Sequence, residues 1–186
     1  MMKTLNNFLP KDLQDEIEST MLSMDFGWYY YPSTADKNLS HTDKNVIDCF
    51  HFTHTVYFYD TGINSSYYGL IKKVLDYVQK SENIKVKNLL RIKANFTTPQ
   101  PNYNIHNYQP IHPDEYNKNM YSFLYYVNDS DGDTRFFDQK FKLINSCTPK
   151  KGTGVLFKAT TFHAGSCPVK CDKRLVINFI FEVEND

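Results

Sequence analysis

The chain has 186 residues and a mass of 21.8 kDa, with 21 Lys+Arg against 21 Asp+Glu and a pI near 7.0. This balance argues against a dedicated nucleic-acid binder, because phosphate contacts need a local excess of Lys and Arg. Hydrophobic residues at 41% and aromatics at 16% exclude intrinsic disorder as the resting state, and no run approaches the ~20 apolar residues that span a bilayer.

Two stretches carry helical periodicity. Pro10 to Met24 places Leu13, Ile17, Met21 and Met24 on one face, with Pro10 in the first turn, where its missing N–H costs nothing. Ser65 to Lys80 aligns Tyr67, Leu70, Ile71, Val74, Leu75 and Val78 in the same way. Between them, Phe26–Tyr31 and His51–Tyr59 read as strands or ordered loops, and Pro32 to Asn45 reads as a polar loop. Trp28 with Tyr29, Tyr30 and Tyr31 reads as an outer strand packed on a helix. After Asn83 the pattern turns to strands: Leu89–Phe96, Met120–Val127, Lys142–Thr148, Thr153–Phe157 and Arg174–Val183. Turn residues separate them at Asn128–Asp133, Pro149–Gly152 and Ala164–Ser166. Helices followed by short strands predict an α+β chain, mainly β, that ends in an antiparallel sandwich or barrel. One domain spanning 1–186 is expected at this length. The opening Met1–Asn7 has no apolar leader, and Cys49, Cys147, Cys167 and Cys171 form no disulfide framework. Together these predict a reducing, cytoplasmic setting.

The chemistry starts from six histidines. His112-Pro113-Asp114 is followed by His163, 49 residues after Asp114. Two imidazoles and a carboxylate can hold one face of an octahedral metal and leave three positions open. In an extended segment His112 and Asp114 point the same way, and a distant strand has to bring the second imidazole. Read alone, His-x-Asp is more often a surface hydrogen bond than a metal site. Arg174 adds weight, because alternation puts Arg174, Val176 and Asn178 on one face of a strand whose other face is Leu175, Ile177, Phe179 and Phe181. A guanidinium inside a sandwich needs an anion, so Arg174 reads as part of an internal salt bridge, as one side of a solvent-facing strand, or as the partner of a ligand's carboxylate. Other clusters read as incidental. His51 and His54 are taken as structural or surface residues, and His106 as a solvated loop histidine. His163, Cys167 and Cys171 lack a fourth zinc ligand, and the acidic turn Asp129–Asp133 lacks the terminal glutamate of a calcium loop.

In chain order, His112-Pro113-Asp114, Tyr121–Asn128, Asp131–Phe136, Pro149–Phe157, His163-Ala164-Gly165 and Lys173–Phe179 resemble the iron- and 2-oxoglutarate-dependent dioxygenases. The subgroup they resemble most is prolyl 4-hydroxylase-like, typified by small enzymes of phages and marine bacteria. The resemblance is specific from about Leu89 to Glu182 and loose over residues 5–17. It implies a double-stranded β-helix, of jelly-roll or cupin-like form, over residues 84–186, with residues 1–83 supplying helices packed on one sheet. It further implies Fe(II) held by His112, Asp114 and His163, with O2 and 2-oxoglutarate as co-substrates. Arg174 would bind the C5 carboxylate of 2-oxoglutarate, with Tyr126 sharing it and Ser122 and Leu124 lining the same pocket. Asn178 is a candidate for that pocket. Arg91, Lys93 and Asn95 share a strand face that looks either to solvent or into the site; Asn95 is placed near cofactor or substrate, and Lys93 is left between the two.

The implied reaction is hydroxylation of an unactivated C–H bond, on a peptidyl proline or another amino-acid residue, with release of succinate and CO2. The implied partner is a peptide, protein or small molecule, in the cytoplasm of the cell or, for a phage protein, of the host. Two other readings stay open: a hydroxylase of a small metabolite, and a non-catalytic jelly-roll module for binding or structure. A zinc or nickel protein using the same three ligands is a further variant, against which Arg174 weighs. The recognition loops at 32–45, 59–66 and 97–109 carry no legible signal, and no oligomeric state can be read.

Overall fold

The structure is a computed structural model that describes residues 2–34 and 40–184. Part of the loop expected at 32–45 therefore lies outside the described residues. Its elements in chain order are β1 (Met2–Leu5), α1 (Lys11–Met21), β2 (Tyr29–Tyr31), β3 (His51–Phe58), β4 (Gly62–Ile63), α2 (Tyr68–Glu82) and β5 (Val86–Thr97). There follow β6 (Met120–Tyr126), β7 (Thr134–Phe137), β8 (Leu143–Cys147), β9 (Thr153–Lys158), β10 (Phe162–Gly165) and β11 (Arg174–Val183).

The strands form two antiparallel sheets. The major one runs β1-β9-β6-β11-β5-β3-β2, with β4 paired to β3, and the minor one runs β10-β7-β8. An isolated antiparallel bridge between His112 and His163 adds the segment before β6 to the edge of the minor sheet. From β5 onward the chain passes back and forth between the two sheets. The fold is a double-stranded β-helix of the jelly-roll kind, mainly β, as the sequence predicts. Residues 1–83 contribute more than helices, since β1 and β3 are strands of the major sheet itself.

Alternation along the central strands explains the layering. Leu175, Ile177, Phe179 and Phe181 of β11, Ile92 and Ala94 of β5, and Phe123 and Tyr125 of β6 face outward. There they join Leu13, Ile17 and Met21 of α1 and Ile71, Val74, Leu75 and Val78 of α2 in one buried cluster. The other face of the same strands, with Leu124, Tyr126 and Val176, meets Phe136 of the minor sheet and Val155 and Phe157 of β9.

Element ends differ from the sequence reading in ways local chemistry explains. Helix α1 stops at Met21, with Leu22 N–H bonded to Glu18 O, so Met24 is fully exposed rather than on the buried face. Helix α2 starts at Tyr68 and runs to Glu82, where Asn83 caps it in the left-handed conformation that Asn tolerates. Strands β1, β4, β7 and β10 are two to four residues long, too short to show periodicity. Strand β2 pairs only with β3 and leaves Tyr29, Tyr30 and Tyr31 exposed at the sheet edge, while Trp28 packs inward and donates to Met21 O. No helix among the described residues is long and apolar enough to cross a membrane.

Ile17 is fully buried where α1 covers the major sheet, and Leu22 at the end of the same helix is half exposed. Ile17→Ala is expected to cost about 2–5 kcal/mol in urea unfolding, and Leu22→Ala less than about 0.5 kcal/mol. Equal effects would contradict this packing of α1.

Candidate functional site

The two histidines meet because their segments are direct antiparallel partners. His112 N–H donates to His163 O and His163 N–H to His112 O, both at 3.0 Å, which puts both imidazoles on the same side of the pairing. Asp114 follows two residues on, its N–H bonded to Ala159 O at 2.9 Å, so the turn between β9 and β10 fixes the third group. One ligand atom from each of His112, Asp114 and His163 lies within 4.8 Å of the others. The His163 Nε2 to Asp114 Oδ2 distance is 3.6 Å.

Hydrogen bonds outside this group set its chemistry. His112 Nδ1 lies 2.8 Å from Pro110 O, and His163 Nδ1 lies 2.9 Å from Thr161 O. A carbonyl only accepts, so each Nδ1 donates its proton there, which leaves Nε2 as the ring atom each histidine can offer to a metal. Burial, and then the neighbouring His163, push the His112 pKa down to about 4. The Asp114 side chain is 3% exposed and takes three donors: Ser122 Oγ at 2.7 Å to Oδ2, with Asn178 Nδ2 at 2.8 Å and Arg91 Nη2 at 3.1 Å to Oδ1. Burial raises its pKa, but His163, Arg91, His112 and the Ser122 bond outweigh it and hold the carboxyl at about 2. Two imidazoles and one ionised carboxylate, oriented by these hydrogen bonds, suit a divalent metal of the Fe(II) type.

Arg174 lies at the other end of the site, at the start of β11, and is buried. Its Nε donates to Gly132 O at 2.6 Å and its Nη2 to Thr134 Oγ1 at 2.9 Å. Gly132 permits this approach. A Cβ there would lie 2.5 Å from Ser166 O and 2.8 Å from Arg174 Cδ, and the first of these is backbone that cannot yield. Arg174 forms no ion pair among the described residues, and burial lowers its pKa from the usual guanidinium value. A buried guanidinium held only by neutral oxygens keeps its charge available to an anion entering the cavity.

A cavity of about 450 Å³ joins these two ends, within the range of roughly 300–1,000 Å³ that accommodates a whole ligand. Leu124, Asn95, Lys93 and Asn178 line it, together with the triad and Arg174. Ser122 points at Asp114 rather than into the cavity, and Asn178 also spends its amide there, so these two steady the carboxylate. Tyr126 donates its hydroxyl to Thr134 Oγ1 at 2.9 Å and so reaches the Arg174 end through Thr134.

Several contributors escape the sequence reading. Thr134 takes bonds from both Tyr126 and Arg174, yet sits on a four-residue strand. Arg91 shares a strand face with Lys93 and Asn95, but nothing in the sequence signals its pairing with Asp114. His51, read as structural or surface, lines the cavity, whereas His54 is tied to Gly27 O and Ser65 Oγ. His106 stays exposed at the loop surface. The acids of the Asp129–Asp133 turn are used internally, with Asp131 accepting from the backbone N–H groups of Val169, Lys170 and Cys171. Cys167 is buried with Cys49 and Tyr103, apart from the triad.

His51 also has its pKa lowered to about 4, mainly by burial. In the unfolded chain both His51 and His112 titrate near 6.5. The unfolded state then holds more protons between about pH 6.5 and 4, so stability falls as pH drops through that window. Thermal melts of the metal-free protein should show Tm declining from pH 7 to 4.5, with a shallower decline in His51→Asn. A flat profile would contradict the burial of these rings.

Comparison with known proteins places this geometry. No curated protein sequence matches the chain. Its structure resembles a Pseudomonas putida prolyl-4-hydroxylase (TM-score 0.62, 13% identity, covering 98% of this chain and 92% of that one). It also resembles an oxidoreductase of the 2OG-Fe(II) oxygenase family from Burkholderia pseudomallei (TM-score 0.71, 11% identity, 99% and 86%). A third likeness is to a Trichoplax adhaerens prolyl hydroxylase solved with a hypoxia inducible factor peptide fragment (TM-score 0.64, 13% identity, 97% and 83%). At these identities the likeness is one of fold. Residues 93–182 match the family model of the 2OG-Fe(II) oxygenase superfamily. That stretch carries His112, Asp114, His163 and Arg174, so the part of the chain that resembles this superfamily is the part that holds the candidate site.

Proposed function

We propose that this protein hydroxylates an unactivated C–H bond of an amino-acid residue, with peptidyl proline as the leading substrate, and releases succinate and CO2. The observation that carries the reading is the pre-oriented His112–Asp114–His163 group facing a buried, carboxylate-free Arg174 across one cavity. The donor set fits Fe(II), and the lone guanidinium fits the far carboxylate of 2-oxoglutarate. Together with O2, these groups supply the oxidising power.

The chain's own residues position and protect. His112 and His163 present Nε2 because their Nδ1 protons are committed to Pro110 O and Thr161 O. Ser122, Asn178 and Arg91 prevent Asp114 from swinging away. Arg174 fixes the co-substrate at one end, held in turn by Gly132 and Thr134. Leu124 and Val176 keep part of the cavity wall apolar. Proline is favoured by the fold shared with two prolyl hydroxylases, one of them solved with a peptide fragment.

Asp114→Ala should abolish succinate release, and Arg174→Ala should weaken 2-oxoglutarate by about 2–5 kcal/mol, the range for a broken buried charge pair. Asn178→Ala should lower Fe(II) affinity roughly 10–100-fold, as loss of an outer hydrogen bond to a ligand does. Incubation with proline-containing peptides should give one hydroxylated residue per succinate by mass spectrometry. Succinate release from Asp114→Ala equal to that of the parent protein would refute the metal assignment. Stoichiometric oxidation of non-amino-acid metabolites, with peptides untouched, would refute the substrate class.

A further inference from the structure

The cavity holds a charge that the reading above does not use. Three cations line it: Arg91, Lys93 and Arg174. Arg91 is paired with Asp114, and Arg174 is assigned to the co-substrate. Lys93 enters no ion pair among the described residues, although Glu115 shares the cavity wall.

Sheet register keeps Lys93 apart from Arg174. Across β5 and β11, Thr97 lies opposite Arg174 while Lys93 lies opposite Asn178, four residues or roughly 13 Å along the strand. The Arg174 guanidinium is moreover drawn to Gly132 and Thr134, away from β5. The two cations therefore belong to different rows of the sheet. Lys93 sits in the row of Asn178, beside the candidate metal group, where a substrate would present its reacting carbon.

His51 of β3 completes the arrangement. The residue is 4% exposed and lines the cavity, and its Nδ1 has no hydrogen-bond partner among the described residues. A buried polar atom left unpaired costs stability unless a ligand meets it. Lys93 is close enough to help disfavour protonation of His51, after burial. Burial and the neighbouring Arg91 push Lys93 itself down to about 8, so an arriving anion would relieve a strained cation. Of the other charges near His51, Asp48 is engaged by Ser33 and Thr34, and His112 is a candidate ligand.

We propose that Lys93 and His51 form a subsite for a carboxylate of the substrate. The carboxylate is either the α-carboxylate of a free amino acid or an acidic side chain beside the oxidised residue of a peptide. The ammonium supplies charge and up to three donors, and neutral His51 supplies an Nδ1–H bond. This rests on the oxygenase reading and narrows its substrate to acids.

The test uses the full chain loaded anaerobically with Fe(II) and 2-oxoglutarate, whose absorption band reports the first reading independently. Two panels of matched probes are added: the free L-amino acids against their amides, and N-acetylated X-Glu amides against X-Gln amides. Perturbation of the band and stimulation of succinate release in air are both recorded. The acid member of one panel is expected to act at least about tenfold better than its neutral partner, and the responding panel identifies the source of the carboxylate. Lys93→Met should lose that preference by roughly 10–100-fold while keeping the parent absorption band, and Lys93→Arg should restore part of it. The proposal is overturned if neutral probes serve as well as acids, if Lys93→Met keeps the preference, or if no acid acts although the band is intact. Absence of the band in the parent protein would instead sink the oxygenase reading and the subsite with it.

Discussion

The structure depends on the two-sidedness of β11. One face of this strand buries Leu175, Ile177, Phe179 and Phe181 under the helices, and the other carries Arg174, Val176 and Asn178 into the cavity. The apolar face stabilises the strand strongly enough to hold a guanidinium and an amide where neither would settle unaided. A one-residue slip in register would exchange the faces and destroy core and site together. Strands β5 and β6 obey the same constraint, which is why polar side chains on three adjacent strands converge on one carboxylate.

That convergence gives the site its preorganisation. Asp114 meets donors from β5, β6 and β11, and each histidine is oriented by a carbonyl two residues before it in the chain. The ligand geometry is thus built from sheet register and short local bonds, and the helices reach it only through the core they help to bury. Metal affinity and helix packing should accordingly respond to different substitutions.

Much of this was legible from residue order. The 2-residue spacing of His112 and Asp114, the alternation after Arg174 and the helical periodicity around Ile17 and Val74 are patterns that local physics dictates. What escaped needed pairing information. Strand β10 is only Phe162–Gly165 and shows no alternation, so nothing local reveals that His163 faces His112. Thr134 looks like any turn-flanking threonine until Tyr126 and Arg174 arrive from other strands. Ser122 and Asn178 were placed on the correct faces, but the sequence could not distinguish pointing at the co-substrate from steadying Asp114. His51 was passed over because a histidine on an aromatic strand has no signature until its neighbours across the sheet are known.

The central claim is that one cavity joins a metal-ready triad to a carboxylate anchor. The direct measurement is an anaerobic titration of the metal-free protein with Fe(II) and then 2-oxoglutarate, followed by visible absorption. A weak charge-transfer band that develops only when both are present, and is lost in Arg174→Ala at the same 2-oxoglutarate concentration, is the predicted result. Iron binding without any band on addition of 2-oxoglutarate, or a band of equal strength in Arg174→Ala, would contradict the account.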